Sequence, residues 1–192
     1  MNQKRFWGRI TSLTVLIIMS TVSCGVFKPS LKGTVASPVV AAANINLTDQ
    51  NGQPFQLSNS RGKVALVFFG FSNCVDECPA TIAKFKQALI TVGEGAKDVV
   101  VVMVSTDPVR DTPESMKAFM EKFNPTFLGL LGTPDQLSKS WEDYGVQVLD
   151  GGETHTSLTY VVDKKGILRE TISTEASPDD IAADVKVLLA EN

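Results

Sequence analysis

The sequence is poor in the residue types that mark several protein classes. Only three of its 192 residues are Cys and only one is His. Three Cys exclude a disulfide-rich mini-scaffold, which replaces a core with many bridges. Nine Pro and 14 Gly are too few for a collagen-like or low-complexity chain. Basic charge is scarce too: 18 Lys and Arg face 21 Asp and Glu, a formal charge of −3. Nucleic-acid binding needs a basic face, and the one basic cluster lies at the extreme N-terminus. There is no Gly-rich phosphate loop, no internal repeat and no Ser-His-Asp triad pattern. What remains is an ordinary globular composition, 43% hydrophobic and 20% charged, long enough for one domain with extensions.

Lys4, Arg5 and Arg9 precede an apolar stretch over residues 10–22. That stretch is short and diluted by Thr and Ser. It fits the apolar region of an export signal better than a membrane span of about 20 residues. Thr21 and Ser23 then lead into Cys24, a pattern similar to a bacterial lipoprotein signal with Cys24 as the lipidated residue. Thr21 departs from it, since Leu is usual there. The competing reading is an uncleaved anchor over residues 10–27. Either way the rest of the chain is expected to be exported, facing the periplasm or extracytoplasmic side, and tethered to a membrane. Residues 1–23 hold three of the 18 cations and no acid, so the remainder carries 15 cations against 21 acids, a formal −6. Residues 24–43, with two Pro and many small residues, read as tether and flexible spacer. Residues 44–192 read as the folded domain.

Within that domain, strand and helix patterns alternate. Residues 45–48 and 54–57 flank Asp49-Gln50-Asn51-Gly52 and predict a hairpin. Residues 64–71 (VALVFFGF) and 99–104 (VVVVMV) are near-continuous apolar runs, the pattern of strands buried on both faces. Between them, Ile82, Phe85, Leu89 and Val92 recur at helical spacing in residues 79–92. Thr112-Pro113-Glu114 and Thr133-Pro134-Asp135 carry helix-start signals, and Ser177-Pro178-Asp179 opens a last helix to Leu189. Residues 127–131 read as a short strand, and residues 158–162 and 167–171 as a hairpin. This order is thioredoxin-like: an α/β fold with a central mixed sheet, helices on both faces and an N-terminal hairpin. In such sheets ligand chemistry gathers at the carboxyl ends of the strands.

Cys74 and Cys78 stand there, at a strand-to-helix junction. In a helix, residues four apart share a face with a rise of about 6 Å. That spacing permits a disulfide, or two sulfurs on one metal. A helix N-terminus favours thiolate, while Asp76 and Glu77 oppose it. The competing reading is a structural disulfide or a pair of buried thiols. His155 lies in a loop feeding the hairpin, expected beside that helix start. Two thiolates and an imidazole form a soft set suited to copper, whereas structural zinc takes four ligands. Asp107, at the end of the second buried strand, is a candidate to orient a ligand or partner. Arg110, Asp111 and Thr112 read as an ion-pair partner and helix caps. Trp141, Tyr144, Phe68 and Phe69 read as core, and Phe71 as core or as a screen for the site.

Three motifs in order carry a resemblance: Phe69-Gly70-Phe71-Ser72-Asn73-Cys74 with Cys78-Pro79, the run from Ser105 to Pro113, and Asp150 to Thr156. Over residues 44–191 the chain resembles the Sco/SenC family of membrane-tethered, thioredoxin-fold copper proteins. The resemblance implies copper, Cu(I) or Cu(II), held by Cys74, Cys78 and His155. It implies delivery to the binuclear copper centre of cytochrome c oxidase during assembly. The implied partners are the copper-site subunit of the oxidase, and another copper chaperone or a thioredoxin-like reductase. Val75 departs from the family, which commonly has Pro there. The alternative function is a thiol–disulfide oxidoreductase using Cys74 and Cys78 as a redox-active pair, in which His155 is dispensable. A peroxiredoxin-like peroxidase is disfavoured, because Cys74 lacks the Pro-x-x-x-Thr-x-x-Cys run.

Overall fold

The structure, a computed structural model, describes residues 30–191. The expected signal over residues 1–23, the Cys24 attachment point and the tether as far as residue 29 lie outside the described residues. The strands are β1 (Thr34–Ala41), β2 (Asn46–Asp49), β3 (Pro54–Gln56), β4 (Val64–Gly70), β5 (Val99–Ser105), β6 (Leu128–Leu131), β7 (Val148–Leu149), β8 (Thr154–His155), β9 (Leu158–Val162) and β10 (Ile167–Ser173). The α-helices are α1 (Glu77–Val92), α2 (Pro113–Glu121), α3 (Pro134–Asp143) and α4 (Pro178–Ala190).

Eight strands form one sheet in the order β1-β10-β9-β4-β5-β6-β2-β3, and β7 pairs with β8 separately. β4, β5 and β6 run parallel, because α1 and α2 cross over between them, and the other pairings are antiparallel. β4 is buried along its whole length. Its side chains alternate in direction, as the pleat requires. Val64, Leu66 and Phe68 pack in a core with Ile82 and Phe85 of α1, Met116 of α2 and Val185 of α4. Ala65, Val67 and Phe69 pack on the opposite face with Leu137 of α3, Tyr144 and Tyr160. Helices therefore cover both faces, and the fold is thioredoxin-like, as the sequence pattern predicts.

The helix starts follow the sequence signals. The Thr112 and Thr133 hydroxyls accept the backbone N–H of Ser115 and Gln136, whose side chains reciprocate, and Pro follows each cap. Ser177 caps α4 with its hydroxyl, which accepts the Asp180 N–H, and Pro178 follows, but no side chain reciprocates to the Ser177 N–H.

The structure differs at the spacer. Residues 34–41 are a strand, with Thr34 opposite Thr171 and Ala41 opposite Ile167, so this part of residues 24–43 belongs to the sheet. Seven of the eight β1 residues are exposed, which leaves no hydrophobic alternation to betray it. β7 and β8 are also new. At two residues each they are too short to produce a period. Among the described residues no helix is long and apolar enough to cross a membrane.

Candidate metal and thiol site

The site lies at the carboxyl ends of β4 and β5. β4 runs through Gly70 into the loop carrying Cys74, and α1 begins at Glu77, two residues earlier than the sequence pattern predicts. The N-cap is Asp76, but its carboxylate caps no N–H. Instead the Cys78 backbone N–H donates to Cys74 Sγ at 3.3 Å, so sulfur takes the place of a capping oxygen. Both cysteines are free thiols. Cys74 is half-buried, while Cys78 has no exposed surface. Burial pushes the Cys78 thiol well above its ordinary range; the bond to Cys74 and the charge of Glu77 add to this, and a backbone contact with Phe71 opposes it.

The loop before α1 is held by a residue that the sequence pattern assigns to helix capping. Asp111 is buried, and its Oδ1 accepts the Ser72 N–H at 2.9 Å and the Ser72 hydroxyl at 2.6 Å. Its Oδ2 accepts the Ser105 hydroxyl at 2.5 Å. Burial pushes the Asp111 carboxyl above its ordinary range, and these hydrogen bonds offset only part of the rise. The capping role falls to Thr112 alone. Asp111 was hard to find because its partner Ser72 is 39 residues away.

His155 ends β8, which pairs with β7 at Val148. Its ring packs edge-on against Phe71, centroids 6.0 Å apart, and against Phe68 at 6.2 Å. Phe71 thus belongs to both the core and the wall of the site. The hairpin is seated on the end of β5 at Gly152, where φ is +103° and any Cβ would run into the Thr106 carbonyl. The Thr106 hydroxyl donates to the Gly152 carbonyl at 3.1 Å. Just beyond His155, the Ser157 hydroxyl donates to Glu77 Oε2 in the first turn of α1, at 2.6 Å. The loop of the lone histidine therefore abuts the helix start that carries Cys78.

Asp107 is fully buried and pairs with the Arg110 guanidinium, which also reaches Glu153 Oε1 at 2.6 Å. Trp141, half-buried on α3, donates its indole N–H to the Ser105 carbonyl at 3.0 Å, and Tyr144 is core. The structure thus brings the two sulfurs together and sets His155 on the adjoining hairpin. Among the described residues no three His, Cys, Asp or Glu side chains close into a group that could hold a metal as they stand.

A thioredoxin-like sheet with a Cys-x-x-x-Cys pair at its first crossover helix and a histidine hairpin beside it defines a thiol- or metal-handling class. A family model described as SCO1/SenC matches residues 37–190, and the chain belongs to that family. It is 29% identical over 157 residues to the SCO2-like protein of Rickettsia felis, covering 77% of each chain. It superimposes on Bradyrhizobium japonicum ScoI with copper bound, with a TM-score of 0.71 and 33% identity, covering 78% of this chain and 99% of that one. A SCO1/SenC family lipoprotein from Bacillus anthracis gives a TM-score of 0.69 at 27% identity, covering 83% of this chain and 99% of the other.

Proposed function

We propose that the chain is a copper metallochaperone that binds one copper through Cys74, Cys78 and His155. It would deliver that copper to the binuclear centre of cytochrome c oxidase during assembly. The observation that carries this reading is the meeting of the sulfur pair with the histidine hairpin at the first turn of α1. Family membership and the copper-bound Bradyrhizobium relative support it. The donor set fits the cargo, since soft thiolates suit Cu(I) and imidazole suits copper in either state. Binding displaces the Cys78 proton, and the hairpin supplies the third donor. A three-coordinate ion leaves an approach for a partner's thiolate, so transfer proceeds by exchange of one ligand at a time. Residues 1–23 would export the domain and Cys24 would carry its lipid anchor, a reading supported by the Bacillus relative being a lipoprotein. The site would then face the extracytoplasmic side.

The second reading, a thiol–disulfide oxidoreductase, is favoured by the unequal exposure of the two free thiols. The half-buried Cys74 would attack a partner disulfide as thiolate. Cys78 would then lose its proton to the departing partner thiolate and attack Cys74 Sγ. The partner's second sulfur leaves as thiolate and takes from water the proton that Cys74 gave up on ionising, so the partner ends as a dithiol and the chain with a Cys74–Cys78 disulfide. Anaerobic titration of the full, reduced chain with Cu(I) against a chelator tests the first reading. One tightly held copper, lost in Cys74→Ser, is expected. No binding above that of the Cys74→Ser variant would leave the oxidoreductase.

A further inference from the structure

His155 is secured on both sides by polar bonds that the ligand set itself does not require. Two residues before it, Glu153 pairs with Arg110. Two residues after it, Ser157 bonds to Glu77, the neighbour of Cys78. Arg110 is itself fixed, because its Nε pairs with the fully buried Asp107, whose own N–H donates to the Ser105 hydroxyl at 3.1 Å. The Arg110 guanidinium carbon also lies 5.7 Å from the centroid of the Phe71 ring, the ring that packs edge-on against the imidazole. A planar guanidinium can meet two carboxylates and an aromatic face at once, whereas an ammonium cannot.

We propose that Arg110 is a positioning residue for His155. With the Ser157–Glu77 bond as a second strap, it holds the imidazole on the hairpin beside the start of α1, next to the segment that carries Cys74 and Cys78. The proposal rests on the copper reading for its effect on metal, but the straps themselves belong to the metal-free chain. An unstrapped hairpin would sample positions away from the sulfurs, and the third donor would be lost for much of the time. Divalent copper, which needs the imidazole, would suffer. Monovalent copper, held chiefly by the two soft thiolates, would suffer less.

The test uses the full chain and its Arg110→Ala and Ser157→Ala variants. Arg110 is exposed and the Ser157 change removes one hydroxyl, so neither substitution removes core packing. Each variant is expected to weaken Cu(II) binding about ten-fold, the lower end of what losing a ligand-orienting contact costs, and to shift the Cu(II) absorption and electron-spin spectra. Cu(I) affinity against a chelator is expected to stay within about three-fold, because its thiolates are untouched. Arg110→Lys is expected not to restore Cu(II) binding, since it cannot span Asp107 and Glu153 together; full restoration would contradict the bridge. Unchanged Cu(II) affinity and spectra in both variants would overturn the proposal. So would equal losses for both oxidation states, the mark of general damage. The chain has a single histidine, so its ring proton signals are read without ambiguity in the metal-free protein. Both variants are expected to move those signals as the ring leaves Phe68 and Phe71, and unmoved signals would overturn the straps. Wild-type chain that binds no copper would sink the copper reading alone and leave this last measurement to decide the straps.

Discussion

At Gly70, the last residue of β4, a Cβ would come within 2.8 Å of both Cys78 Sγ and Phe68 Cε1. The absent side chain is the space in which the buried sulfur sits. Gly70→Ala is expected to lower stability by about 1–3 kcal/mol, the usual cost of overpacking, read as a drop in the urea midpoint. A variant as stable as wild type would show that the sulfur is not confined there. The rarest residue types carried the clearest expectation of position: Cys74 and Cys78 fall at the strand-to-helix junction and His155 on the hairpin beside it. Asp111, Gly152 and Arg110 were harder. Each has an ordinary local role available, and their decisive partners Ser72, Thr106 and Glu153 lie 39 to 46 residues away. Only the fold brings such pairs together.

Among the elements, those with long periodic patterns were legible to within two residues, as α1 shows. The apolar runs of β4 and β5 were unmistakable, since a strand buried on both faces has no polar positions to interrupt it. β1 left no signal because it buries almost nothing, and the β7–β8 hairpin because its seat is a glycine contact with backbone. The core between β4 and α1 depends on Phe85, which is fully buried and meets Phe68 edge-on with centroids 6.5 Å apart. Phe85→Ala is expected to cost about 3–5 kcal/mol in denaturant unfolding, through lost transfer energy and the cavity left behind. A cost within about 0.5 kcal/mol, typical of a surface change, would contradict the packing described.

At the scale of the whole molecule, the segment entering β1 is fastened to the body by a pair of buried acids. The Gly33 N–H donates to Glu170 Oε2 at 3.0 Å and to Asp184 Oδ2 at 3.2 Å, and the Lys32 N–H donates to Asp184 Oδ1 at 2.8 Å. Glu170 Oε1 is buried with no hydrogen-bond partner. Burial and the facing carboxylate push Glu170 up to about 7, and burial also raises Asp184. A carboxyl whose folded-state pKa is raised stabilises the fold fully below its unfolded value, near 4.5 for Glu170, and loses that contribution as pH climbs through about 7. Wild type is therefore expected to lose stability relative to Glu170→Gln between about pH 4.5 and pH 7, the interval between those two values. The neutral amide keeps an acceptor for Gly33 and gains a donor toward Asp184. Parallel stability curves for the two proteins across that interval would contradict a protonated pair.

In the proposed site one histidine, brought from a separate hairpin, completes a copper-binding set begun by two cysteines at a helix start. The most direct measurement compares wild type with His155→Ala in two assays on the same preparations: Cu(II) binding, and oxidation and reduction of the Cys74–Cys78 dithiol. The variant is expected to lose most of its Cu(II) affinity while its dithiol cycles at nearly the wild-type potential. Cu(II) binding that is unchanged in His155→Ala would contradict the three-ligand site.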